Sequence, residues 1–348
     1  MHRPAATPVS VTMLTTAETQ VAPLSGLCEA LTAFPLLADF EPDLPRHPFD
    51  VQVAATGPLP TVPAAGLRLE ANCTLSEVAR TDVAIVPLMA VHGPSWEVGC
   101  HREAVEWLRS MHDQGSVVAS VCTGALLLAE TGLLDDREAT IHWAFANTLR
   151  GARPAVRVRP EETLIVDGDR DDLVMTGGVT SWHDLALHLV SRYVGPSAAL
   201  ALARMLMLEW HGSGQAPYLE FSPDRDHNDG MVADLQEWLA GNLSTPHPVD
   251  EMGARSGLSR RTLERRFRAA TGLSPIGYVQ QLRIREARRL LERTTMPVDE
   301  IGFAVGYLNT AYFRSLFRRT NRLGPGAYRR KFGQFRAHRD SNSKPSDR

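Results

Sequence analysis

Two sets of side chains in this sequence have the types and spacing that chemistry requires. The first is Arg260, Arg261, Glu264, Arg265 and Arg268, which follow Ser259 at helical intervals. On a helix these intervals gather guanidinium groups and a carboxylate on one outward surface. Arginine pairs bidentately with guanine and glutamate accepts from the amino group of cytosine, so such a surface can read base edges in a major groove. The second set is Cys122-Thr123-Gly124 at the end of the apolar run from Val117, with His142 further along. A cysteine on a sharp strand-to-helix turn sits at a sheet edge beside a helix N-terminus, whose dipole favours thiolate. With an imidazole base it makes a nucleophile; without one it is a small buried residue at a helix entry.

The elements that must hold the first set come in duplicate. Asp250-Glu251-Met252-Gly253 recurs about fifty residues on as Asp299-Glu300-Ile301-Gly302, Gly257 as Gly306, and Phe267-Arg268 as Phe317-Arg318. Ser274-Pro275-Ile276-Gly277-Tyr278 recurs as Gly324-Pro325-Gly326-Ala327-Tyr328. Each copy reads as helix, turn, helix. In the first, Val249 to Ser256 is a helix ended by Gly257, and Ser259 N-caps a second helix from Arg260 to Ala270 with Leu263 and Phe267 inward. In the second, Phe313 and Phe317 hold the inner face while Asn309, Thr310, Tyr312, Arg314 and Arg318 point outward. The second copy ends in Arg322-Leu323-Gly324-Pro325, without a glycine stop, so a looser helix exit is expected. Between the copies, Tyr278 to Glu292 reads as one rigid helix that sets the distance between two reading heads.

Charge points the same way. Residues 249–348 carry roughly 22 basic and 9 acidic side chains, against roughly 15 and 31 in residues 1–248. The net charge of −3 therefore conceals a basic region that attracts a polyanion and an acidic one that repels it.

The string G-L-S-R-R-T-L-E-R-R-F-R-A-A-T-G-L-S-P-I-G-Y, together with G-Y-L-N-T-A-Y-F-R-S-L-F-R-R-T-N-R-L-G-P-G-A-Y-R, resembles the DNA-binding domain of AraC-family regulators. The resemblance implies a seven-helix domain that places both second helices in successive major grooves of double-stranded operator DNA. Carried over by position, the base-facing residues are Arg261, Glu264 and Arg265 in the first unit and Thr310, Ala311, Tyr312 and Ser315 in the second. Arg266, Arg268, Arg314 and Arg318 fit phosphate contacts or packing stems.

The first two hundred residues alternate short apolar runs with amphipathic stretches, the pattern of a parallel sheet flanked by helices, a flavodoxin-like α/β sandwich. Strands are expected at Val9–Leu14, Phe49–Ala54, Val83–Val86, Val117–Ser120 and Leu173–Met175. Helices are expected at Ser25–Ala38, His101–His112, Gly124–Thr131, Ser181–Tyr193 and Ser197–Trp210. In such folds ligands lie beyond the carboxyl ends of the strands.

The runs V-C-T-G-A-L-L-L-A-E-T-G-L-L-D, I-H-W-A and M-T-G-G-V-T-S-W-H-D-L-A-L-H-L-V resemble the amino-terminal domain of GlxA-type regulators, which belongs to the PfpI-like, class I glutamine-amidotransferase-like superfamily. A ligand pocket would draw on Cys122, Thr123, His142, Trp143, Thr176, Gly177, Gly178, Ser181 and Trp182, with the glycine pair permitting close backbone approach and the helix start offering free N–H groups. Two departures argue against catalysis. The acid of the first-helix motif is replaced by Pro23, and the glycine-rich turn after the third strand reads Pro87-Leu88-Met89-Ala90. A degenerate pocket that binds a small-molecule effector is the expectation. The alternative is a cysteine-dependent hydrolase or hydratase with a DNA-binding appendage.

The expected organisation is a sensor and dimerisation domain over residues 1–211, a linker over 212–230 rich in glycine, proline and acids, a DNA-binding domain over 231–333, and a mobile tail over 334–348. The amino terminus lacks the apolar core of a signal peptide and no apolar run reaches the ~18 residues of a membrane span, so a cytoplasmic protein is expected, and the resemblance to GlxA-type regulators implies a homodimer. Cys28, Cys73, Cys100 and Cys122 form no C-x-x-C pair, and neither a metal nor a cofactor is expected.

Overall fold

Val9–Thr15 (β1) is buried on both faces, as a central strand of a parallel sheet must be, and pairs with Phe49–Ala55 (β2) on one side and Val83–Val86 (β4) on the other. Outside β2 lies the two-residue strand Cys73–Thr74 (β3). Beyond β4 come Val117–Val121 (β5), then Leu173–Thr176 (β9), and at the far edge the antiparallel Leu164–Asp167 (β8), giving the order β3-β2-β1-β4-β5-β9-β8. A separate pair joins Glu138–Ala139 (β6) to Arg157–Val158 (β7). The structure, a computed structural model, describes residues 7–57, 70–91, 95–223, 225 and 227–333. The expected tail over 334–348 lies outside them.

Alternation along the strands sends Val83 and Ile85 to one face of the sheet and Ala84 and Val86 to the other. The first face packs on Val21–Thr32 (α1), Phe34–Phe40 (α2), Trp182–Tyr193 (α6) and Pro196–Leu206 (α7). The second packs on Arg102–Asp113 (α3), Gly124–Glu130 (α4) and Ala146–Ala152 (α5). The single helix expected over Ser25–Ala38 is two. Ala33 joins them and Pro35 stands in the first turn of α2, where its missing N–H is harmless; inside one long helix it would leave a carbonyl unpaired. The helix expected to run to Trp210 stops at Leu206, with Met207 in the left-handed region (φ 54°).

The chain divides into two compact units, Met1–Gln215 and Ala216–Arg348. The second has seven helices among its described residues: Gly230–Gly241 (α8), Pro248–Ser256 (α9), Arg260–Thr271 (α10), Pro275–Arg293 (α11), Val298–Ala304 (α12), Thr310–Asn321 (α13) and Pro325–Phe332 (α14). They build two small cores. Val232, Leu235, Met252, Leu263 and Phe267 form one, and Ile301, Val305, Phe313, Phe317 and Tyr328 the other. Helix α11 serves both: Tyr278, Val279 and Leu282 lie in the first, Ile284, Ala287 and Leu291 in the second. Gly257 caps α9 at φ 64° and Gly272 caps α10 at φ 73°, backbone conformations that glycine adopts without strain.

Candidate nucleic-acid interface and cysteine pocket

Each candidate reading helix begins with a side-chain cap. Ser259 accepts from the N–H of Thr262 at 3.3 Å at the start of α10, and Asn309 accepts from the N–H of Tyr312 at 2.9 Å at the start of α13. Their oxygens are thus committed to their own helices. Inward, Leu263 and Phe267 anchor α10 while Phe313, Leu316 and Phe317 anchor α13. Outward, Arg260, Arg261, Glu264, Arg265 and Arg268 are all exposed. Arg261, Glu264, Arg265 and Arg268 meet around one surface hollow of about 460 Å³, and Arg260 pairs along the helix with Glu264 at 3.5 Å.

On α13, Ala311, Arg314, Ser315 and Arg318 are exposed, Tyr312 is 46% exposed, and Thr310 is half-buried. The Tyr312 hydroxyl accepts from Gln280 at 3.0 Å, and Arg314 is drawn to Asp299 at 2.9 Å. Arg266 leaves the reading surface altogether, bonding with two nitrogens to the Asp229 carboxylate at 2.6 and 3.0 Å. Of the two roles open to it, phosphate contact and packing stem, its geometry fits the second.

Arginine does different work inside α11. Arg283 is buried and donates to the carbonyls of Leu243, Thr245 and Gly306 at 2.8 to 2.9 Å, with its guanidinium over the Tyr307 ring. It therefore binds the first helix-turn-helix unit to the second. Arg288 is buried too and donates to Asn321, the last residue of α13, and to the carbonyls of Leu219 and Ala216. Sequence reasoning missed both roles. An arginine that satisfies backbone carbonyls looks, in sequence, like any other on a polar stripe.

In the first unit, Cys122 stands where β5 turns into α4, with φ 56°. Its N–H donates to the Thr176 carbonyl at 2.7 Å, which ties the turn to β9. Gly124 opens α4 because a Cβ there would come within 2.5 Å of the Pro87 carbonyl and 2.7 Å of that of Val86. This is the expected elbow, but its thiol is 2% exposed, and burial pushes its pKa up to about 12 against the opposing effect of backbone N–H groups of Thr123 and His142. The expectation that the helix dipole favours thiolate is overturned. Desolvation exceeds what those hydrogen bonds return. Burial lowers the His142 pKa, and its Nδ1 accepts from the Ala144 N–H at 3.2 Å rather than facing the thiol.

Most of the other pocket candidates are engaged within the domain. Thr123 exchanges hydrogen bonds with the Met89 backbone, Thr176 donates to the Ser120 carbonyl, and the Ser181 hydroxyl takes the Gly178 N–H at 2.9 Å. The Trp182 ring lies against Gly26 of α1, where a Cβ would be 2.5 Å from it. His142 and Trp143 stack at 5.3 Å. The space beside Gly177 is filled by Gln215, whose side-chain amide stands where a Cβ would go. Gln215 falls in the segment that reads as linker, and nothing in its surroundings of glycine, serine and proline marks it. Among the described residues no group of metal-ligating side chains gathers, and no single helix is long and apolar enough to cross a membrane.

Comparison with known proteins matches residues 252–331 to a helix-turn-helix domain and residues 27–192 to the DJ-1/PfpI family. The HTH-type transcriptional regulator GbdR of Pseudomonas aeruginosa is 29% identical over 228 residues, covering 62% of this chain and 58% of that protein. GlxA of Rhizobium meliloti, also an HTH-type transcriptional regulator, is 28% identical over 228 residues, covering 65% of this chain and 69% of its own length. An isonitrile hydratase of Pseudomonas putida is 32% identical over 197 residues, 56% of this chain and 80% of the enzyme. The chain spans 58% to 63% of the length of GbdR and of a second regulator from the same species, CdhR. The chain thus joins a DJ-1/PfpI domain to an AraC-type helix-turn-helix domain, and its relatives include HTH-type regulators such as GlxA and GbdR.

Proposed function

We propose that this protein is a sequence-specific DNA-binding transcription regulator whose α/β domain senses a small metabolite through the degenerate cysteine-elbow pocket. The observation that carries this reading is the pair of capped helices, α10 and α13, each anchored by buried apolar side chains and presenting an exposed polar face. Arg261, Glu264 and Arg265 read bases from α10, and Thr310, Ala311, Tyr312 and Ser315 do so from α13. Arg268 and Arg318 neutralise phosphates. The protein works as a cytoplasmic homodimer on a two-part operator, and effector binding shifts how the DNA-binding units are presented. Such a shift requires the effector to prefer one arrangement, a coupling of ~1 to 3 kcal/mol.

The test is Arg265→Ala in the full chain, with duplexes selected from a random pool and affinity measured at fixed salt. Loss of ~1 to 3 kcal/mol with relaxed preference at one or two positions is expected; unchanged affinity and preference would remove Arg265 from the reading face. Kinship to an isonitrile hydratase favours a second reading, a cysteine enzyme. A buried, protonated thiol weighs against it, since the thiolate is the nucleophile. Hydratase turnover abolished by Cys122→Ser would reverse that judgement.

A further inference from the structure

Gln215 is 4% exposed, and its carboxamide has a complete set of partners. Nε2 lies 3.3 Å from the Thr140 hydroxyl oxygen, 2.9 Å from the Ile141 carbonyl and 3.0 Å from the Glu162 carbonyl, while Oε1 accepts from the Trp143 N–H at 3.2 Å. Three acceptors around the nitrogen and one donor at the oxygen fix which end is which. The backbone around His142 is thus gripped from two sides, by Gln215 at Ile141 and Trp143 and by the Cys122 sulfur at the His142 N–H. Gly177 leaves the room for the amide, and any side chain at that position would collide with it.

We propose that the Gln215 side chain is a built-in occupant of the cysteine-elbow pocket, and that the effector is a small molecule whose primary carboxamide takes its place. The inference rests on the reading of the α/β domain as a sensor. Thr123, Thr176 and Ser181 already spend their hydroxyls on the domain's own backbone, so the polar groups a ligand would gain are those that Gln215 releases. A ligand that takes that place without matching them strands the Ile141 carbonyl or the Trp143 N–H. A carboxylate has no hydrogens for the three oxygens. An ammonium leaves the Trp143 N–H without an acceptor. A carboxamide brings two hydrogens to these oxygens and an acceptor to the Trp143 N–H, and the Thr140 hydroxyl already donates to the Glu162 carbonyl.

The experiment tracks alkylation of Cys122 by N-ethylmaleimide, which has no primary carboxamide, in the native full chain, resolved by peptide mass spectrometry, with exposed Cys100 as internal control. Gln215→Ala removes the occupant, and Gly177→Ala expels it while filling its seat. Both should speed Cys122 modification at least ~10-fold over wild type, the local opening no longer being opposed by the amide's bonds. Propionamide, the missing group supplied in solution, should restore slow modification in Gln215→Ala and not in Gly177→Ala. Isosteric propionate should protect neither. Wild-type rates in both variants, or protection by propionate equal to that by propionamide, would overturn the proposal. No DNA enters this assay. A failure here with Arg265→Ala still impairing DNA binding removes only the occupant; amide protection without any DNA binding removes only the regulator.

Discussion

Arg266 and Arg268 stand two residues apart on α10 and have opposite fates. Arg266 is held by both oxygens of Asp229, and hydrogen bonding to Arg266 holds that carboxyl below the usual range. Arg268 is exposed and lines the hollow beside Arg265. A phosphate contact contributes about one unit to the dependence of log affinity on log salt. Arg268→Ala should therefore lower that slope by ~1 in filter binding across a salt series, whereas Arg266→Ala should leave it unchanged; equal slopes for wild type and Arg268→Ala would take Arg268 off the DNA. Cys122 makes the other residue-scale prediction. Its pKa is raised to about 12, so between the ordinary thiol range and that value the unfolded chain releases a proton the folded chain keeps. Stability from this group is complete below about pH 9 and is lost as pH rises through about 12. Denaturation at pH 8 and pH 10 should show Cys122→Ala losing less stability than wild type over that interval; parallel losses would contradict the assignment.

At the scale of elements, α13 ends without a glycine, yet the chain still turns there. Arg322 takes the left-handed conformation (φ 53°) that Gly272 takes at the end of α10. The exit that sequence suggested would be looser is instead strained, a penalty of roughly 1 to 2 kcal/mol for a side-chain-bearing residue. Arg322→Gly should recover about 1 kcal/mol in urea denaturation; a loss would mean that the arginine's own contacts outweigh the strain. Arg283→Met should cost about 3 kcal/mol or more, because it strands three carbonyls that Arg283 now satisfies.

These elements also show what a sequence can disclose. Period-2 and period-3.6 patterns exposed the five longer parallel strands and the duplicated helices, since those patterns arise from one buried face. Two-residue β3 is too short to register, and the edge strand β8, as long as β4 and β9, is only partly buried throughout and so shows no buried face. Gln215, Arg283 and Arg288 escaped for a different reason. Each is defined by backbone carbonyls, several of them dozens of residues away, that only tertiary folding brings near. The exposed, arginine-rich face of α10 was legible because its residues are neighbours on a single helix.

At the scale of the whole molecule, opposite charge balances fall largely in different units, so DNA should be drawn to the arginine-rich one and repelled by the acidic one. Sedimentation of the full chain at micromolar concentration should give twice the 38.3 kDa chain mass if the proposed homodimer is right, and a 38.3 kDa species would remove it.

Because α11 is built into both small cores, its length is also an angle. Each residue in an α-helix rotates the rest of the helix by about 100° and advances it about 1.5 Å. One residue inserted between Leu282 and Ile284 would leave each core's composition intact yet swing one probe roughly a quarter turn around the helix axis relative to the other. The nineteen residues from Pro275 to Arg293 thus act as a ruler and a protractor at once, and operators for this protein should tolerate base changes more readily than a change in spacing.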